Sequence, residues 1–143
     1  KAAVAAASDW GTYVCVHTYT PAAIQRAVAC GIKSIEHGQL ADEETAKRIV
    51  DADAWWSIQP FLGDEDANTY SNPEQQANQR AIADGTIRAI ELGKKYKAKI
   101  ALGTDILFSP RGTATQGRQL AKFARWYDNA EVLRMLTSGN ADL

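Results

Sequence analysis

Residues 12–38 read TYVCVHTYTPAAIQRAVACGIKSIEHG, and the fold turns on how they are read. Tyr13-Val14-Cys15-Val16 is a short β-branched and aromatic run, the pattern of a buried strand. Thr20-Pro21 then supplies an N-cap and a proline at the first helical position. Ile24, Ala27 and Val28 form the apolar stripe of that helix, and Gly31 ends it. Residues 32–36 make a second strand. Strands that alternate with helices run parallel, joined by right-handed crossovers.

Outward from this unit the alternation continues. Residues 1–8 are alanine-rich and read as the end of a helix, with Gly11 as its stop. Asp42 caps a third helix whose first turn carries Glu43 and Glu44, where the helix dipole favours negative charge. Its stripe is Ala46, Ile49 and Val50. Residues 54–61, AWWSIQPF, predict a third strand, and the polar run 63–72 a loop. Pro73 opens a long helix through about Tyr96, with Lys94, Lys95 and Lys97 at its C-terminal end. Residues 99–103 predict a fourth strand, and 108–117 a second long loop. Helical patterns return at 119–126 and 130–137. The class is α/β: a helix, then four strand–helix units. Four units make half of an eight-unit barrel or a small open sheet, and a closed (β/α)8 barrel needs about 250 residues.

The chain has 143 residues, 45% of them apolar, enough for one domain with a core. Sixteen basic against seventeen acidic side chains leave a net charge of −1, which gives no electrostatic pull toward nucleic acid or an acidic membrane. Mean hydropathy is −0.32 and no apolar run reaches the length of a membrane span. Cys15 and Cys30 are too few for a disulfide framework and lie in apolar runs, where buried free thiols are expected. No leader is visible in the first residues, so the compartment stays open, with the cytoplasm as the expectation. The chain begins at Lys1 without methionine and stops at Leu143 within a helical pattern. Both features point to a piece of a longer protein, truncated at both ends.

Chemistry is concentrated at strand ends. The first strand closes on Val16-His17, the second on Glu36-His37-Gly38 and the fourth on Gly103-Thr104-Asp105. His17 and His37 are the sequence's two histidines. The carboxyl ends of parallel strands share one face, and sites sit there. Two imidazoles and a carboxylate on one rim suit a divalent ion, zinc first. Such an ion lowers the pKa of water, and the carboxylate accepts the proton. A strand-end histidine is also often no more than a hydrogen-bonded rim residue, and Thr104-Asp105 can simply cap a turn.

The motifs VHTYTP (16–21), GIKSIEHG (31–38) and ALGTD (101–105) together resemble the amidohydrolase superfamily, in its imidazolonepropionase-like and Xaa-Pro or Xaa-Lys/Arg dipeptidase branch. The resemblance runs through the whole chain, residues 1–143. It implies the C-terminal half of a (β/α)8 TIM barrel, strands five to eight with their helices. It implies His17 and His37 as metal ligands, and Asp105 as both ligand and general base and acid. Tyr19, two residues past the first ligand, matches a substrate-facing tyrosine. The implied activity is metal-dependent hydrolysis of a C–N bond, amide or peptide, by a dipeptidase or cyclic amidase holding one or two ions. The implied partner is a small amide or peptide substrate.

The chain departs from that family by lacking the His-x-His of strand one and the strand-four lysine. Lys1, in a helical run, does not replace the latter. A half-barrel leaves two sheet edges and a core flank open. The expectation is pairing with the missing half or with a second copy, and little or no turnover by the chain alone. Arg111 is a candidate for a substrate carboxylate through its planar fork, against the more ordinary reading of a solvated loop arginine. Trp55 and Trp56 are expected in core and barrel-bottom packing, and Glu36 facing the surrounding helices or a polar partner. Asp64, Glu65 and Asp66 are expected as a solvated loop run. Two other readings stay open: a non-catalytic α/β module that binds a ligand or partner at its strand ends, and a metal-dependent deaminase or decarboxylase on the same scaffold.

Overall fold

A computed structural model describes residues 1–107 and 110–143, and of Arg111 the backbone alone. The substrate-binding expectation at Arg111 therefore lies outside the described residues. Helix α1 (Ala2–Asp9) leads into β1 (Cys15–Thr18), α2 (Pro21–Val28), β2 (Ser34–His37), α3 (Glu43–Asp51), β3 (Trp55–Ile58), α4 (Pro73–Tyr96) and β4 (Lys99–Leu102). Short helices α5 (Pro110–Thr113) and α6 (Gln116–Ala121), a 3-10 turn (Lys122–Arg125), α7 (Asn129–Arg134) and a π turn (Met135–Gly139) complete it. The four strands form one sheet, all parallel, in the order β1-β2-β3-β4. Sequential order with a helix after each strand is the winding of a barrel segment rather than of a sheet whose order reverses midway.

The helices start where their caps demand. Asp42 accepts from Thr45 N at 2.8 Å and Asn72 from Glu74 N at 2.8 Å; each satisfies a backbone donor that the helix itself cannot. Residue Lys97 closes α4 in the left-handed region at φ 55°. Side chains that alternate across the sheet sort its two faces. Val16, Ile35, Trp56 and Ile100 share a register and pack with Ile24, Ile49 and Ile90 of the helices into one core. His17, Glu36, Ser57 and Ala101 form the neighbouring register and face the other way.

Several expectations need correction. The pairing in β1 lies two residues later than the apolar run, because Tyr13 and Val14 precede the ladder and His17 and Thr18 belong to it. Strand β3 ends at Ile58, before Gln59-Pro60, since proline has no N–H for the ladder. The predicted loop 108–117 contains α5 and the start of α6. Glu36 shares the face of His17 rather than that of the helices, yet it has the polar partner that was the other expectation, accepting from Ser34 Oγ at 2.6 Å. Cys15 is an exposed thiol.

The sheet edge at β4 is partly closed from within the chain. Asn140 accepts from Leu102 N at 3.1 Å and donates Nδ2 to Leu102 O at 2.8 Å. A side-chain amide here supplies the donor and the acceptor that a fifth strand would supply. Among the described residues no helix is long and apolar enough to cross a membrane.

Candidate metal centre and substrate pocket

The site grows from the turn after β2. In register, Thr18 lies beside His37 and His17 beside Glu36. Plain alternation would therefore send the His37 ring to the face opposite His17. The backbone prevents this: His37 has φ 82° and Gly38 φ 68°, two successive left-handed residues. A non-glycine residue held there is costly and needs support. Trp56 Nε1 donates to His37 O at 2.9 Å, and Gly38 N donates to Thr18 O at 2.8 Å. A Cβ on Gly38 would overlap the Trp56 indole nitrogen. Trp56, fully buried, thus packs the core with its ring and pins the site with its N–H, a role that strand-end reasoning did not find.

The twist brings the rings together. His37 Nε2 and His17 Nδ1 lie 2.9 Å apart, and His37 Nε2 lies 3.8 Å from Asp105 Oδ2. Asp105 also sits at positive φ, 53°. Tyr19 stacks on His37 with ring centroids 4.7 Å apart, and Phe61 stacks on the same ring at 5.8 Å. His37 is 4% exposed, whereas His17 is open to solvent. Burial lowers the His37 pKa, and the neighbouring His17 lowers it further; Asp105, the Gln59 side chain and Glu36 act in the opposite sense without prevailing. Neutral His37 is thus the favoured form, and neutral imidazole is the form that binds metal. Burial first, then the charges of Asp105 and Tyr70, raise the pKa of Tyr19. Its hydroxyl stays a proton donor.

The structure therefore brings together His17, His37, Asp105 and Tyr19. His17 and Asp105 meet through one atom, His37 Nε2, rather than around a shared centre. Among the described residues no three His, Cys, Asp or Glu side chains are set around an ion position. The donors themselves, two imidazole nitrogens and a carboxylate oxygen, are of the kind that divalent ions such as zinc take. The buried and unpartnered Nδ1 of His37 is the far ring nitrogen that a metal-bound histidine ordinarily gives to a supporting acceptor.

A cavity of about 550 Å³ opens beside Asp105. Tyr19, Phe61, Tyr70 and Leu107 give it apolar walls, and Asn68, Gln79 and Gln119 give it carboxamides. The loop that forms one wall is anchored, which corrects the expectation of a solvated acidic run at Asp64 and Asp66. Lys122 Nζ lies 2.8 Å from Asp64 Oδ1 and 2.7 Å from Asp66 Oδ2. The Lys122 side chain is only 6% exposed, Arg118 pairs with Asp66, and Arg125 Nη2 lies 3.5 Å from Asp64 Oδ2.

Neither a protein-family model nor a curated protein matches the chain. Solved structures do. A crystal structure of an amidohydrolase shares 34% identity at a TM-score of 0.83, over 97% of this chain and 34% of that one. A prolidase complexed with N-methylphosphonate-L-proline shares 30% identity at a TM-score of 0.84, over 97% of this chain and 35% of that one. The ochratoxinase of A. niger shares 26% identity at a TM-score of 0.79, over 96% of this chain and 31% of that one. The chain thus spans about a third of the length of the solved structures it matches. A four-stranded parallel sheet in barrel order, the three strand-end motifs and these likenesses agree, and the chain belongs to the amidohydrolases.

Proposed function

We propose that β1 to β4 are strands five to eight of a (β/α)8 barrel, residues 1–143 forming its C-terminal half. We further propose that the complete protein hydrolyses a C–N bond of a small amide or peptide, as a dipeptidase or cyclic amidase. One observation carries this reading: an imidazole and a carboxylate from different strand ends converge on His37 Nε2 beside an open pocket. The named neighbours support it, one of them a prolidase with a proline-containing ligand bound.

His17 Nδ1, His37 Nε2 and Asp105 Oδ2 would hold a divalent ion, zinc first. When bound, that ion supplies a Lewis acid and a water of lowered pKa. Asp105, its side chain 39% exposed and at the pocket mouth, takes the proton from the attacking water and returns it to the leaving nitrogen. Tyr19 keeps its proton and donates to an oxygen of the substrate. Phe61 and Tyr70 enclose the substrate's apolar part. Arg111, on α5 after Asp105, is assigned the substrate carboxylate.

The test is turnover of a panel of Xaa-Pro and other dipeptides by the complete zinc-loaded protein. Metal-dependent hydrolysis that falls at least a hundredfold in Asp105→Asn supports the reading. Unchanged turnover in that variant, or turnover indifferent to chelation, overturns it.

A further inference from the structure

Asp64 and Asp66 stand in the wall of the pocket. Two bare carboxylates there would draw a cationic side chain into it. They are not bare. Lys122 Nζ lies 2.8 Å from Asp64 Oδ1 and 2.7 Å from Asp66 Oδ2. The side chains of Asp64 and Asp66 are only 17% and 9% exposed, so these charges meet where water screens them little. Arg118, Lys122 and Arg125 follow one another at spacings of four and three residues along α6 and the 3-10 turn, which puts them on one face. Arg118 pairs with Asp66 and Arg125 with Asp64, both arginines from exposed positions. Three cations against two carboxylates leave the cluster one positive charge in surplus. None of the three lines the pocket, so that surplus lies behind the carboxylates.

Apart from Asp105 at the mouth, the rest of the described lining is uncharged. Asn68, Gln79 and Gln119 offer carboxamides, and Phe61, Tyr70 and Ile82 offer apolar surface. A cationic side chain entering here meets carboxylates that already have their counter-charges. An anionic one meets, among the described lining residues, no cation at all. An uncharged side chain loses nothing by leaving water for this wall, and the carboxamides can both donate to it and accept from it.

We infer that Lys122 is a specificity-determining residue: by neutralising Asp64 and Asp66 it makes the pocket a site for an uncharged substrate side chain and turns cationic ones away. The inference rests on the proposed substrate pocket and names the substrate class that the pocket takes. Without Lys122 the two arginines remain, but solvent screens their charge, and the carboxylates regain their pull on a cation. Specificity is a difference of two affinities, so the change appears as a ratio between substrates.

The experiment is binding of Gln-Pro, Lys-Pro and Glu-Pro to the metal-free chain, followed by NMR at the side-chain amides of Asn68 and Gln119. Turnover of the same three dipeptides by the complete zinc-loaded protein is measured beside it. Wild type should bind Gln-Pro the most tightly of the three. Lys122→Met should raise the affinity for Lys-Pro relative to Gln-Pro by about tenfold, and Lys122→Arg should keep the wild-type order. A loosened pocket would weaken all three ligands and would not favour the cationic one. A wild type that prefers Lys-Pro or Glu-Pro, or that binds none of the three, overturns the inference, as does a folded Lys122→Met with the wild-type ratio. If Lys122→Met does not fold, the wild-type order alone decides. Preferred binding of Gln-Pro with no turnover of any dipeptide would sink the hydrolase reading and leave the assignment of Lys122 standing. Turnover that favours Lys-Pro would do the reverse.

Discussion

Trp56 donates its indole N–H to the backbone carbonyl of His37 at 2.9 Å, and this bond joins the core to the site. It holds a left-handed residue whose ring would otherwise face away from His17. Trp56→Phe keeps most of the buried ring and leaves a buried carbonyl without its donor. The expected loss is about 1–3 kcal/mol in urea denaturation. The 2.9 Å contact between His17 and His37 should loosen as well, visible by NMR as loss of the ring-to-ring NOE.

Gly38 is the tightest position of the same turn. A methyl group there meets the Trp56 indole and lies 3.2 Å from Ile35 Cγ2, at φ 68°. Gly38→Ala should cost at least about 2 kcal/mol, from strain and overlap together. Gly85 on α4 gives a contrast. Alanine would ordinarily favour a helix by about 1 kcal/mol, yet its Cβ would overlap the backbone carbonyl of Gln39. Gly85→Ala should therefore also destabilise, and the measured sign of ΔΔG checks the packing.

Asn140 offers a separable test of the sheet edge. Asn140→Ala strips the donor and the acceptor from Leu102 without touching the histidines. We expect a loss of about 1–2 kcal/mol and a stronger tendency to self-associate in sedimentation, because part of the β4 edge becomes available to another strand.

The Lys122 cluster predicts a pH dependence. The hydrogen bond from Lys122 holds the Asp66 carboxyl below its ordinary 3.8. Burial pushes Asp64 up, but Lys122, the Asp66 backbone and Arg125 bring it below that value. A carboxyl depressed in the fold contributes stability that is complete above pH 3.8 and is lost as pH falls through the folded value. Burial acts to lower the pKa of Lys122, yet the two carboxylates raise it above 10.5, so its share is complete below that pH and is lost as pH rises through the folded value. Lys122→Met should destabilise the fold at neutral pH, because Asp64 and Asp66 lose their most enclosed counter-charge and keep only Arg125 and Arg118. It should also flatten the acid trend, with less stability lost as pH drops through the carboxylate range.

Much of the fold was legible because the elements are written locally. Pro21, Asp42 and Pro73 start helices by their own chemistry, although Thr20 makes no side-chain capping bond, and α4 runs from Pro73 to Tyr96 as its pattern and its lysine-rich end indicate. The rim that gathers His17, His37 and Asp105 was legible because parallel strands place their ends on one face. The aim of the His37 ring was not legible, since it depends on a positive φ held by an indole nineteen residues away in sequence. Asp64 and Asp66 looked like solvated loop residues because Lys122, their counter-charge, is 58 residues from Asp64. The bond between Asn140 and Leu102 spans 38 residues, and nothing in either segment announces it. Long-range polar contacts of this kind leave no period in a sequence.

The central claim is that His17, His37 and Asp105 act together on one ion, and the most direct measurement is zinc titration of the 15N-labelled chain followed at both histidine rings. The account predicts that one equivalent shifts the rings of His17 and His37 together, and that His17→Ala or Asp105→Ala weakens the effect at least tenfold. Rings that ignore zinc, or that respond to it one without the other, would contradict it.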